Sequence, residues 1–297
     1  MASPADRNSA ASGDDGLPIG IICGGGSIPL AVAEAASRHG RRVVLFALRG
    51  WADPAVERYP HHWIALGQLG RLFRLARAAG CRDLVFIGSL LRPTMSQIRL
   101  DWTTLRLLSR TLAAFRGGDD RLLSDIARIF EDHGFRLVGA HEVAPDILAP
   151  EGSVGRHAPG ARDHADIAHA VALLAVTGPF DVGQAAVIAE GHVLAIEAAE
   201  GTDCMLERIA ALRQDGRIRT PAGVGVLVKA PKPMQDRRFD LPSIGPQTVE
   251  GVARAGLAGL AVVAGATIMA EPARIAKLAD AHGLFVVGVP PRAAHVS

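Results

Sequence analysis

The chain has 297 residues, 49% of them hydrophobic, enough for one large core or two ordinary ones, and two domains are expected. Thirty-two basic side chains against thirty acidic ones leave a formal charge of +2, so no global field directs the protein to nucleic acid. Cys23, Cys81 and Cys204 stand far apart without paired spacing, which excludes a disulfide framework or a structural zinc site and fits a reducing cytoplasm.

Residues 1–16 are polar, lack the apolar centre of a secretory signal and read as a disordered tail. An apolar run from Leu17 to Cys23 predicts a strand, Gly24, Gly25, Gly26 and Ser27 a turn, and Ile28 to His39 a helix with Ser27 as N-cap, Pro29 in its first turn and Gly40 as its stop. Arg42 to Leu48 is the next strand. Glycines at such a junction let backbone amides approach an anion where the helix dipole favours negative charge. The turn departs from a dinucleotide fingerprint, because Pro29 stands where the third glycine belongs and Arg49-Gly50 where an acid is expected after the second strand. NAD is therefore disfavoured. Two readings stay open: Gly24, Gly25, Gly26 and Ser27 contact a phosphate or nucleotide sugar, or the glycines serve only close strand-to-helix packing.

Gln68 to Ala79 carries Leu69, Leu72, Phe73 and Ala76 on one side and Arg71, Arg74 and Arg77 on the other, an amphipathic helix. Leu84 to Ile87 is a third buried strand ending at Gly88 and Ser89, small residues that admit a ligand; Arg92-Pro93 follows. Ile98 to Phe115 is apolar and holds Trp102 among Arg99, Arg106 and Arg110, a composition suited to lipid or to an acyl chain, or to a packed helix with solvated arginines. Gly117-Gly118-Asp119-Asp120 precedes a helix from Leu122 to His133. Its aspartates read as an N-cap and a first-turn acid, or as substrate or metal contacts. After a strand over Phe135 to Gly139, Pro145, Pro150 and Gly152 punctuate a polar stretch to Gly160. The expected division is a Rossmann-like substrate-binding domain over 17–145, a linker over 146–160 and a catalytic α/β domain over 161–297.

In the second half, Asp163 to Val176 has helical spacing, and Gln184 to Ile196 reads as two strands turning at Glu190-Gly191. That antiparallel hairpin sets the second domain apart from the first. The hairpin delivers Glu197, Glu200, Gly201, Thr202 and Asp203 to the start of a helix over Cys204 to Leu212. Gly201 and Thr202 could bind phosphate and the three acids a hard cation, or Thr202 could be a cap and the acids dipole partners. Val224 to Val228 is a strand, Thr248 to Ala255 a helix, Leu257 to Val263 a strand, Pro272 to His282 a helix and Leu284 to Val289 the last strand. The weakly polar run Gly256 to Ala270 is too short and too glycine-broken to span a membrane. His61-His62, His164 and His169 lack metal-ligand spacing, and Ser27 and Ser89 lack a nucleophile-elbow context.

The chemistry concentrates in Lys229 to Gly245, where a strand ends and a helix begins. Pro231, Pro233 and Pro242 stiffen a loop carrying two lysines, two arginines, two aspartates and a glutamine. Lys229 and Lys232 could neutralise phosphate, Arg237 or Arg238 clamp its oxygens, and Asp236 ligate Mg²⁺ or orient water. A solvated charged loop is the alternative.

Together with Cys23 to Leu30, Gly117 to Asp120, His141 to Gly152, Gly178 to Ala186 and Ile196 to Asp203, this loop resembles the LpxI-type UDP-2,3-diacylglucosamine pyrophosphatases of lipid A biosynthesis, from about Leu17 to the C-terminus. The resemblance implies an N-terminal Rossmann-like domain and a C-terminal mixed α/β domain. It implies hydrolysis of UDP-2,3-diacylglucosamine to UMP and 2,3-diacylglucosamine 1-phosphate, dependent on Mg²⁺ or another divalent cation, with water attacking the β-phosphorus. The family's required aspartate falls on Asp236, as metal ligand or general base, and Lys229, Gln235, Arg237 and Asp240 complete the expected catalytic set. The expected substrate contacts are Gly24, Gly25, Gly26, Ser27, Gly88, Gly118, Asp119, Gly201, Thr202 and Lys232. A homodimer in the cytoplasm, peripherally associated with the cytoplasmic leaflet of the inner membrane, is implied as well. The competing readings are an NAD-dependent nucleotide-sugar oxidoreductase or epimerase, and a non-catalytic nucleotide-sugar-binding regulator.

Overall fold

The computed structural model describes residues 16–90, 97–107, 119–180, 182–232, 236–239 and 241–291, with the side chains of 119–125 outside that description. The polar tail up to residue 15, Arg92-Pro93, residues 108–115 of the apolar arginine-bearing segment, Gly118, Gln235 and Asp240 lie outside the described residues. The chain divides into two compact units, residues 1–138 and 139–297.

The first unit is built on five parallel strands: β1 (Ile19–Cys23), β2 (Val43–Leu48), β3 (His61–Ile64), β4 (Asp83–Ile87) and β5 (Arg136–Leu137), in the order β3-β2-β1-β4-β5. This is the doubly wound order of a Rossmann-like sheet, whose switch point falls between β1 and β4. β1 is buried along its whole length, as an inner parallel strand covered on both faces requires. Helices α1 (Ile28–Arg38), α2 (Leu69–Ala78) and α3 (Asp119–Asp132) connect and cover it. Phe73 from α2 and Phe130 from α3 meet edge to face at 5.0 Å, and Phe135 stacks on Phe73. Asp83, almost fully buried, receives two hydrogen bonds from Arg136 opposite it, which fastens the short β5 to the sheet.

The second unit carries a six-stranded mixed sheet in the order β6-β13-β11-β9-β7-β8. Its members are β6 (Gly152–Ser153), β7 (Ala185–Ala189), β8 (His192–Ile196), β9 (Val226–Lys229), β11 (Gly259–Val263) and β13 (Phe285–Val289). β9, β11 and β13 are parallel; β7 runs against β9, β8 against β7, and β6 against β13. The expected hairpin is present, turning at Glu190 and Gly191, both with positive φ, the conformation that matches strand twist. The stretch 146–160, expected as a linker, contributes β6 to this sheet. A separate pair, β10 (Ser243–Ile244) and β12 (Ile268–Met269), lies parallel beside it.

Side chains alternate between two cores. On one face Ile188, Val226, Val228, Ala261 and Val287 pack on Ile167, Ala170, Val171 and Leu174 of α5 (Ala161–Thr177). On the other Val187, Leu227, Leu260 and Val286 pack under α6 (Gly201–Gln214), α7 (Pro246–Arg254) and α8 (Pro272–His282). A four-residue helix, α4 (Ala140–Val143), precedes β6. Among the described residues no helix is long and apolar enough to cross a membrane.

Candidate active site

In the second sheet β8, β9, β11 and β13 all end at the same edge, where β7 begins. That edge collects residues 182–184, the Glu197–Gly201 turn and the loop after β9, the position where open α/β sheets bind ligands. Lys229 is the last residue of β9. Alternation turns its side chain to the α6–α8 face, where it is only 8% exposed and its Nζ donates to the Ser243 carbonyl at 3.0 Å. A buried ammonium has to be held by acceptors or by an anion. A cavity of about 260 Å³ opens beside it, lined by Gln184, Glu197, Lys229, Lys232 and Ser243 among others. The structure thus brings together Lys229 and Lys232, expected respectively in catalysis and in substrate binding.

Four residues beyond Lys232 the loop makes a turn over 236–239. Asp236 Oδ1 accepts from the Arg238 amide at 3.0 Å, and the Arg238 guanidinium closes on both carboxylate oxygens, Nη2 to Oδ2 at 2.8 Å. Arg238 lowers the carboxyl's pKa, first through its side-chain hydrogen bonds, against a smaller upward push from burial. Asp236 is thereby kept ionised and made a weak proton acceptor. The two arginines divide their work: Arg237 points elsewhere, donating to the Gly265 carbonyl.

The acids before α6 are engaged as well. Glu197 accepts from the Thr202 hydroxyl with Oε1 and from the Gln184 amide with Oε2, each at 2.9 Å. Glu200 is paired with Arg208 at 2.7 Å. The Thr202 proton is therefore directed at Glu197, and Gly201, with φ of 78°, begins the helix. Among the described residues no three His, Cys, Asp or Glu side chains come together to hold a metal. Asp236 is the expected ligand within the described turn.

Sequence reasoning passed over His141, which packs on Gly139: a Cβ there would lie 2.5 Å from the ring's Nδ1. That buried nitrogen has no hydrogen-bond partner among the described residues. Burial first, then the Arg237 charge, lower the imidazole's pKa, with Glu142 opposing. It also passed over Glu197 as a positioning group and Arg238 as the partner of Asp236. The signal for Arg238 was its (i, i+2) spacing from Asp236, which a turn converts into a bidentate pair.

In the first unit the glycine turn sits at the switch point. Gly25 and Ser89 form an antiparallel bridge, with amide-to-carbonyl distances of 2.8 and 3.0 Å. A Cβ on Gly24 would lie 2.7 Å from the Ser89 carbonyl oxygen, and one on Gly88 2.8 Å from the Gly24 carbonyl carbon, so both have a packing reason to be glycine. Gly26 differs. Its φ is 88°, it is exposed, and nothing lies within 4 Å of where a Cβ would point. Ser27 occupies the N-cap of α1, but its side chain makes no capping hydrogen bond. Asp119 is the first residue of α3.

Sequence comparison places the chain in a family. Models of the LpxI N-terminal and LpxI C-terminal domains match residues 18–147 and 150–287. The chain is 42% identical over 274 residues to the UDP-2,3-diacylglucosamine pyrophosphatase LpxI of Caulobacter vibrioides, covering 92% of this chain and 98% of that one. A solved Thermus thermophilus UDP-glucose 4-epimerase in complex with NAD aligns over 94% of this chain and 88% of its own at 11% identity, but its TM-score of 0.29 is too low to carry an argument. With family models matching both halves, and a relative this similar along nearly its whole length, the chain belongs to the LpxI family.

Proposed function

We propose that this protein hydrolyses the pyrophosphate of UDP-2,3-diacylglucosamine in lipid A biosynthesis, water attacking the β-phosphorus to release UMP and 2,3-diacylglucosamine 1-phosphate. The observation that carries the reading is the cavity at the carboxyl edge of the second sheet with Lys229 and Lys232 in its wall, in a chain so similar to a protein named for that activity. A diphosphate enters with negative charge, and two ammonium groups there offset it. Arg238, held on the next turn, supplies a planar fork for phosphoryl oxygens.

Asp236 acts as an oxygen ligand to Mg²⁺ in this reading. A carboxylate kept ionised by an arginine suits a hard cation better than it suits proton abstraction, and Mg²⁺ is commonly held by one or two carboxylates together with the substrate's phosphates. A single ionised carboxylate is a hard oxygen donor of the kind such a substrate-borne cation would take. The cation supplies charge neutralisation and polarises phosphoryl oxygens. Both Asp236 oxygens accept from Arg238, so Asp236 would hold a cation only with the guanidinium released, which would leave that fork free for phosphoryl oxygens.

Peripheral association with the cytoplasmic leaflet belongs to the same reading. It rests on Trp102, 69% exposed, with exposed Leu100 and Leu105 beside it and the Arg106 guanidinium 5.5 Å from the indole ring. Asp101 anchors this segment by accepting from the amides of Arg71 and Thr104. Flotation with anionic vesicles should carry the protein, and failure to float with or without substrate would remove this part. The resemblance also carries a homodimer, which sedimentation measures directly. For the reaction itself, Asp236→Ala should bind substrate and lose turnover; retained turnover would reject the assignment, and wild-type binding without any hydrolysis would make the protein a regulator.

A further inference from the structure

We propose that Glu197 is the specificity-determining acceptor of the lysine cavity, taking a hydrogen bond from the amide N–H that joins the 2-acyl chain to the substrate's glucosamine; this rests on the hydrolase reading above. Glu197, Lys229 and Lys232 line one cavity, so a ligand in it borders all three. The sheet register sets their spacing. Ala185 pairs with Lys229 of β9 on one side. On its other side stands Glu197, whose amide donates to the Ala185 carbonyl at 2.8 Å, continuing the pairing of Ala186 with Ile196. Side chains in one row across a sheet point to the same face. The row therefore runs from a carboxylate past a methyl group to an ammonium, over two strand spacings, about 10 Å.

The carboxylate is fixed by the chain itself. Oε2 accepts from the Gln184 amide and Oε1 from the Thr202 hydroxyl, each at 2.9 Å. Gly183, also in the cavity wall, leaves room for the side chain, since a Cβ there would stand 2.5 Å from Glu197 Cγ. Each carboxylate oxygen can take two hydrogen bonds, so one acceptor position on each is left over. Neither suits a phosphate, because like charges set side by side repel strongly. A ligand held by the lysines through its diphosphate thus has to turn a hydrogen-bond donor toward Glu197, close to its phosphates.

In UDP-2,3-diacylglucosamine the donor so placed is the 2-amide N–H. The nitrogen sits on the carbon next to the one that bears the β-phosphate, whereas the 3-acyl ester has no donor and the 4- and 6-hydroxyls lie across the ring. The ribose hydroxyls are separated from the α-phosphorus by longer chains of bonds.

The test compares UDP-2,3-diacylglucosamine with UDP-2,3-diacylglucose, identical except that an ester oxygen replaces the 2-amide nitrogen, both in mixed micelles with Mg²⁺. The ester cannot donate to the charged acceptor, so the wild-type kcat/KM should favour the amide by at least about tenfold. Glu197→Gln can turn either its oxygen or its NH₂ to the ligand, and should bring the two substrates within about threefold of each other, chiefly by slowing the amide. Damage to the fold alone lowers both rates together and leaves their ratio as it was. A wild type indifferent to the exchange, or a ratio unchanged in Glu197→Gln, overturns the inference while leaving the hydrolase reading intact. An unchanged ratio with a raised Mg²⁺ requirement would make Glu197 a cation ligand instead. Wild type that cleaves neither substrate ends the hydrolase reading, and the inference with it.

Discussion

Replacing Arg238 separates a catalytic clamp from an ordinary surface ion pair. In Arg238→Ala the guanidinium bonds to both Asp236 oxygens are lost, but the backbone bond from residue 238 to Oδ1 survives, so the turn keeps its shape. The side chains are 37% and 32% exposed, and a pair so hydrated contributes no more than about 1 kcal/mol to folding. At roughly 2–4 °C per kcal/mol for a unit of this size, the melting temperature should fall by only a few degrees. Removing one charged donor from developing phosphate charge costs far more, about 10²- to 10³-fold in kcat. A pH effect accompanies it. Arg238 holds the Asp236 pKa below its usual value, so without it the pKa rises toward an ordinary carboxylate's. If Asp236 must be ionised, the acidic limb of kcat/KM moves to higher pH in the variant. The stability contribution has the same sign: it is present above the unfolded pKa and is lost as pH falls through the depressed folded one. Steady-state kinetics across pH with calorimetry on the same samples decides. A kcat within about threefold of wild type, with an unmoved acidic limb, would refute the argument.

Other expectations follow from the same geometry. Lys229→Met keeps the apolar stem in the core but removes the ammonium that meets Ser243, so circular dichroism should be near native while turnover falls by at least about a hundredfold. Glu197→Ala frees the Gln184 amide and the Thr202 hydroxyl and should lower unfolding free energy by about 2 kcal/mol; Glu197→Gln, which can still accept from Thr202, should recover about half by denaturant titration. Gly88→Ala places a methyl against the Gly24 backbone at a positive φ, and should cost more than about 2 kcal/mol. Gly26→Ala meets no neighbour and should cost only about 1 kcal/mol, so a large loss of UMP affinity by calorimetric titration would assign that turn to the nucleotide, and unchanged affinity would leave it to packing.

Elements whose signal is local were legible in the sequence. β1, the glycine turn and α1 follow from an unbroken apolar run, four small residues and a proline in the first helical turn. The hairpin at Glu190-Gly191 was readable because only a tight turn with positive φ fits there. β3 was not, since His61, His62 and Trp63 show no alternation and the strand exists only because β2 offers it an edge. β10 and β12 were missed for a related reason: each is two residues long and defined by its partner far along the chain. At the site, Lys229 and Lys232 could be picked out from their loop as candidates to neutralise phosphate, and both line the one cavity. The division between Arg237, spent on Gly265, and Arg238, closed on Asp236, depends on turn geometry that composition does not encode. Glu197 was visible as an acid, but weighed for a cation, because its actual partners are brought to it by the pairing of β7 with β8.

The most direct measurement of the central claim is hydrolysis of UDP-2,3-diacylglucosamine with Mg²⁺ in water enriched in heavy oxygen, followed by mass analysis of both products. Attack at the β-phosphorus predicts the label in 2,3-diacylglucosamine 1-phosphate and none in UMP. Label in UMP, or no cleavage at all, would contradict the account.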